Sequence, residues 1–224
     1  SKKYNFEYEF ISYKWPKWLP IETTQQRLVW GYKILFLDVI FPKNLKRVIY
    51  IDSDDVVRSD LSELMNLNLN SAPYAFTPFC EDKSEMKEYR FWNDGYWKDI
   101  LQDKKYHISA LFVVDLIEYR KQGVGDKIRK AYSDLFNDHH SLSNLDQDLP
   151  NLLQSYGVNI YSLPQEWLWC GSWCSDKSMK NAKIIDMCNN PKTKMNKLSY
   201  AQEKISEWKE LDDEINSIET IDEL

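Results

Sequence analysis

A short apolar run, Arg47-Val-Ile-Tyr-Ile51, breaks off into Asp52-Ser-Asp-Asp55, and no other feature restricts the fold of this chain as strongly. Residues so rich in β-branched and aromatic side chains read as a buried strand. In open α/β sheets the ligand crevice lies beyond the carboxyl ends of such strands. Asp52 and Asp54, separated by the small Ser53, can both face one hard divalent cation that also takes phosphate oxygens and water. Read alone, the same acids could equally shape a turn ahead of the helix that Asp60 caps.

Strand and helix periods alternate along the rest of the chain. Tyr4, Phe6, Tyr8 and Phe10 alternate with polar residues, as in a strand with one buried face. Leu28, Val29, Tyr32, Leu35, Phe36 and Val39 fall at helical spacing from about Thr23 to Phe41, and Pro42 ends that pattern. Further strands are expected at Tyr74 to Phe79, His107 to Val114, Val158 to Leu163 and Lys183 to Met187. Helices are expected over Glu85 to Leu101, after an Asp115 cap, over Asp146 to Tyr156, and from Leu198 onward with Ile205, Trp208, Ile215 and Ile218 on one face. This order predicts an α/β fold, a mostly parallel mixed sheet flanked by helices.

The 224 residues carry a net charge of −6, but nine acids against two bases in residues 201–224 account for it. The body is nearly neutral and offers no basic face to a nucleic acid. The longest uncharged apolar run, Ile108 to Val114, is far short of the roughly 20 residues that span a bilayer. There is no glycine-rich phosphate loop or nucleophile elbow, and His107, His139 and His140 lack metal-ligand spacing. The terminal Asp222-Glu223-Leu224 matches the invariant part of endoplasmic-reticulum retrieval signals. Luminal residence would favour disulfides among Cys80, Cys170, Cys174 and Cys188, with all three complete pairings open.

Three more segments could carry chemistry. Ser143 to Asn151 sets Asp146, Gln147, Asp148 and Asn151 at a helix entrance, where carboxylates and carboxamides can meet sugar hydroxyls; a helix cap explains only one of these acids. Leu163 to Trp173 is dense in indole, and Trp167 and Trp169 could stack on an acceptor sugar or simply fill a core. Asp186 ends an apolar run, either as a turn residue or as a further cation ligand.

Read together, Trp30 to Asp38, Ile51 to Asp54, Thr77 to Cys80, Tyr89 to Trp92, Lys105 to Ala110, Ser141 to Asn151, Leu163 to Cys170 and Asp186 to Pro191 resemble the catalytic domains of UDP-glucose:glycoprotein glucosyltransferases. The resemblance implies a glycosyltransferase A-type fold over residues 1–200 without the family's N-terminal nucleotide-binding segment, followed by an acidic helix and retrieval tail over 201–224. It also implies retaining transfer of glucose from UDP-glucose, with Mn²⁺ or Ca²⁺, to high-mannose N-glycans of misfolded glycoproteins in the endoplasmic reticulum lumen. N-terminal folding-sensor domains of the same polypeptide would be partners.

Residue by residue, it assigns Asp52 and Asp54 to the cation. Asp186 stands where glycogenin-like relatives carry a histidine, so an oxygen ligand there would favour Ca²⁺. Asp146, Gln147, Asp148 and Asn151 match the block that activity requires. Lys33, Ser53, Ser109 and Ala110 fall near the donor, the last two in a loop lining its sugar. The contrasting expectation is a catalytically inactive luminal glycan-binding module of the same fold.

Overall fold

The computed structural model describes residues 4–138, 142–193 and 196–217. The elements run in the order α1 (Gln25–Leu35), α2 (Leu37–Ile40), β1 (Arg47–Ile51), β2 (Asp55–Val57), α3 (Ser62–Asn66), β3 (Tyr74–Pro78), α4 (Gly95–Leu101) and β4 (His107–Asp115). There follow α5 (Leu116–Lys121), α6 (Val124–Leu135), α7 (Leu145–Leu153), β5 (Ile160–Ser162), β6 (Trp169–Cys170), β7 (Ile184–Asp186), α8 (Lys197–Lys204) and α9 (Trp208–Asn216). They fall into two units. One holds the chain up to Ile51, Asp60–Pro78 and Trp92–Leu163; the other holds Asp52–Ser59, Phe79–Phe91 and the chain from Pro164 on.

The first unit is built on a sheet of order β1-β4-β3-β5. β4 lies inside it because its residues from His107 to Val114 are all buried, which suits a strand covered on both faces. Tyr50, Phe112 and Phe76 stand opposite one another in register on β1, β4 and β3. Their rings stack in a row, with centroids 4.7 and 4.9 Å apart. Arg47 pairs with Asp115 at 3.2 Å across the β1-β4 ladder. Asp115 also accepts from the backbone of Ile117 and Glu118, so it caps α5 as its position predicts. α7 packs against β4, α1 and α6.

Several expectations change. β1-β4 and β3-β4 are antiparallel and only β3-β5 is parallel, so the sheet is mixed without a parallel majority. Apolar composition reports burial, and a buried strand reads the same in either direction. Residues 4–10 form no strand: Phe6 and Phe10 are 56 and 85% exposed. Alternation needs a ladder partner to become a strand, and none of the described strands forms a ladder with these residues. The helix expected from Thr23 to Phe41 breaks at Phe36 into α1 and α2.

The second unit carries the sheet β2-β7-β6, with β2-β7 antiparallel and β6-β7 parallel. Val56, Trp169, Ile185, Met187, Ala201 and Ile205 fill its core. Ala201 and Ile205 thus pack with β2, β6 and β7. The single expected tail helix is two helices, with Ile205 buried at the break and no residue of α9 buried. Ile218 and the Asp222-Glu223-Leu224 end lie outside the described residues.

All four cysteines of this unit are paired, Cys80 with Cys174 and Cys170 with Cys188. The bridges close loops of 94 and 18 residues. Chain entropy alone gives them about 5 and 3 kcal/mol of stabilisation respectively. Oxidised protein should show no free thiol under denaturing conditions, and reduction should lower its melting temperature; four reactive thiols would contradict the pairing.

Candidate active site

In the second unit, the turn that follows β1 places three carboxylates together. The Asp55 backbone N–H donates to the Asp52 carbonyl at 3.1 Å, closing a turn that delivers Asp55 into β2. There Asp55 stands opposite Asp186 in the β2-β7 register. Asp54, Asp55 and Asp186 each offer an oxygen within 4.8 Å of the others. Asp52 does not belong to that group, although spacing pointed to it. The neighbour missed from sequence is Asp55, and the signal was available: the turn reverses the chain, so the fourth residue, not the first, enters the ladder.

Ser53 is exposed and Asp186 buried. Three hard oxygen donors fit a hard divalent cation and leave positions for other oxygens. Lys197 forms an ion pair with Asp54. It also lines a cavity of about 190 Å³ together with Lys83, Asp176, Cys188, Tyr200 and Lys204. Cys170, opposite Asp186 on β6, is bridged to Cys188, so the disulfide clamps the strand end that presents this carboxylate.

In the first unit, β4 and the first turns of α7 hold a buried polar network. Lys33 Nζ lies 2.8 Å from Asp146 Oδ2, with the two side chains 4 and 5% exposed. Ser109 Oγ donates to the same oxygen at 2.9 Å, and the ammonium sits 4.5 Å from the Tyr50 ring centre. Ser109 and Ala110 are buried positions within β4, not a loop.

Asn151 Oδ1 accepts from the His107 backbone N–H at 2.9 Å and its Nδ2 donates to the His107 carbonyl at 2.8 Å. The side chain thus pairs with the end of β4 as another strand would. Tyr106 donates to Asp148 and accepts from Gln147 Nε2 at 3.1 Å. Gln147 is the half-buried member of this block.

Burial drives two of these groups in opposite directions. Desolvation pushes the Asp148 carboxyl up to about 7, against the hydrogen bonds from Tyr106 and Asn144. It pushes His107 down to about 4. Between about pH 4 and 6.5 the folded protein holds a proton on Asp148 that the unfolded chain lacks, and lacks one on His107 that the unfolded chain holds. The first effect lowers stability as pH rises and the second raises it, so they largely cancel. Asp148→Asn should leave His107 unopposed and give a stability that rises by about 1.4 kcal/mol per unit across that window. Urea unfolding of both proteins at pH 4.5, 6 and 8 checks this; parallel profiles would contradict it.

Trp167 and Trp169 do not offer faces to a sugar. Both are buried, Trp167 under the Lys183 ammonium 4.2 Å from its ring centre and Trp169 in the core with its Nε1 on the Ser175 carbonyl. Trp169 packs in the core that holds the Cys80–Cys174 bridge.

Comparison with known proteins places this geometry. The family described as Glucosyltransferase 24 matches residues 1–218. The chain belongs to that family. It is 53% identical to UDP-glucose:glycoprotein glucosyltransferase of Drosophila melanogaster over 97% of its own length, and 53% identical to UDP-glucose:glycoprotein glucosyltransferase 1 of Homo sapiens over 98%. It spans 14% of the length of each of these relatives.

Among solved structures it is similar to mouse xyloside xylosyltransferase 1, with a TM-score of 0.52, 16% identity, and coverage of 76% of this chain and 68% of that one. Its similarity to the galactosyltransferase LgtC gives a TM-score of 0.50 at 13% identity, over 82% of this chain and 69% of that one. At such identities the likeness speaks for the fold alone, the glycosyltransferase A-type α/β fold. Among the described residues no helix is long and apolar enough to cross a membrane.

Proposed function

We propose that this chain carries the catalytic centre of a metal-dependent glucosyltransferase that moves glucose from UDP-glucose, with retention at the anomeric carbon, to the high-mannose N-glycans of misfolded glycoproteins. The observation that carries this reading is the identity above 50% to UDP-glucose:glycoprotein glucosyltransferases across nearly the whole chain. Asp54, Asp55 and Asp186 would hold the divalent cation, Mn²⁺ or Ca²⁺, with Asp52 beside them in sequence. When bound, the cation supplies charge to balance the departing diphosphate. Lys83, Lys197 and Lys204, around one cavity, offer ammonium groups to the same phosphates.

In the first unit, Gln147 meets the donor sugar. Lys33, Ser109 and Asp146 form the buried support from which α7 presents it. Asn151 acts through β4, since both ends of its carboxamide are taken up by that strand. An inactive glycan-binding module would have no use for three converging carboxylates. The compartment proposed is the endoplasmic reticulum lumen, whose oxidising conditions suit two disulfides. The folding-sensor domains proposed as partners belong to the longer polypeptide that such relatives form.

The reading is tested by incubating the full polypeptide with labelled UDP-glucose and a high-mannose glycoprotein, native or denatured. Label should enter the denatured acceptor and be released by a glycosidase specific for α-linked glucose. Equal labelling of both acceptors, or β-linked product, would contradict it.

A further inference from the structure

We propose that Tyr106 is a positioning residue for Gln147: the hydrogen-bond chain from Asp148 through Tyr106 fixes which end of the Gln147 carboxamide is offered to the glucosyl donor, its carbonyl oxygen and not its amide. The inference rests on the functional reading above for the identity of the donor, and on the geometry of the first unit for everything else.

The argument is one of hydrogen-bond direction. Asp148 Oδ2 accepts from the Asn144 backbone N–H at 2.7 Å, and Asp148 Oδ1 accepts from the Tyr106 hydroxyl. At pH 8, above the titration of the Asp148 carboxyl, that carboxylate has no proton to give, so the single phenolic proton must point at it. The phenol oxygen can then only accept, and the partner in reach is Gln147 Nε2 at 3.1 Å. A Gln147 turned over would set two acceptor oxygens against each other at this buried position, where neither could find a proton.

Tyr106 itself cannot move to relieve such a clash. It is 2% exposed, with Trp92 stacked on one side at 5.1 Å and 7° and Trp97 meeting it edge-on at 5.0 Å. No described residue donates to Gln147 Oε1, and the side chain is half-buried, so the carbonyl is the end left for a ligand. An oxygen there accepts from sugar hydroxyls and faces positive charge developing at an anomeric carbon. A carboxamide free to flip would present the amide half of the time and repel that charge.

Asp148→Asn reverses the chain without removing an atom from the core. Its carbonyl is held by the Asn144 N–H, so its amide faces Tyr106, whose oxygen must now accept. The phenolic proton is freed toward Gln147, which turns over. Measured as UDP release at pH 8 from UDP-glucose and acceptor, kcat should fall by about 10- to 100-fold, the range seen when an orienting partner is lost, with KM for UDP-glucose unchanged. The melting temperature should hold or rise.

Tyr106→Phe should show the same kcat loss. Neither change should lower kcat further in a Gln147→Ala background, because both act through that side chain. Independently of turnover, the Gln147 side-chain amide signals in a ¹⁵N–¹H spectrum should be protected from exchange in the wild type and lose that protection in both variants. Additive kcat losses with Gln147→Ala, or amide protection retained in Tyr106→Phe, would overturn the proposal. A wild type that released no UDP would instead count against the functional reading, and the amide signals would then decide the orientation alone.

Discussion

Asp186→Asn should reduce cation-dependent UDP release at least 100-fold while leaving the protein folded, and it should raise the melting temperature measured in EDTA. The activity loss follows from position: Asp186 is buried at the end of β7, opposite Asp55 and within 4.8 Å of the Asp54 and Asp55 oxygens. Removing a partner that merely orients a metal ligand already lowers affinity or activity by about 10- to 100-fold, so losing a ligand exceeds that. The stability gain follows from charge. Where carboxylates at such separations are ionised they repel by about 3 kcal/mol per pair at an effective dielectric of 20, a repulsion that a neutral Asn at 186 removes. Added Mn²⁺ should therefore stabilise the wild type and not the variant. Equal stabilisation of the two by Mn²⁺ would remove Asp186 from the cation site.

The second large effect concerns stability. Lys33→Met should destabilise the protein by about 3 to 5 kcal/mol, because it removes the ammonium 2.8 Å from the buried Asp146 carboxylate and leaves Ser109 as its side-chain donor among the described residues. For a chain of this size that is a fall in melting temperature on the order of 10 °C. The double change Lys33→Met/Asp146→Leu should recover most of that loss, since an apolar pair of similar volume replaces a desolvated ion pair with little penalty. It should not recover turnover. Recovery of both would reduce the pair to a structural role, and a Lys33→Met cost below about 1 kcal/mol would show the pair to be solvated.

The parts of this fold that could be read from sequence are those in which one chain segment decides its own fate. β1 and β4 are apolar runs that form strands, half-buried in β1 and buried in β4; Asp115 caps the helix next to it, and α7 begins one residue before the Asp146 expected to open it. What could not be read depends on a second segment. Strand direction is invisible in the apolar run of β4, and the alternation of Tyr4 to Phe10 is silent on whether a partner strand exists.

The site divides in the same way. Asp54, Asp186 and Gln147 stand out as candidates from local pattern and resemblance. That Asp55 stands beside Asp186 is set by a turn and a register between strands more than 120 residues apart in the chain. Tyr106 gave no signal of its own, because a tyrosine ahead of a buried strand reads as core until its hydroxyl is seen between Asp148 and Gln147. The tryptophans misled for the converse reason: indole composition is the same in a sugar platform and in a core.

The central claim is that the carboxylates at the β2-β7 ladder hold a cation that this domain needs to transfer glucose. UDP release from UDP-glucose, followed as Mn²⁺ is titrated into EDTA-treated wild type, Asp54→Asn and Asp186→Asn, tests it most directly. The account predicts no release without cation, saturable activation of the wild type, and no activation of either variant. Release in EDTA, or activation of Asp186→Asn at the same Mn²⁺ concentration as the wild type, would contradict it.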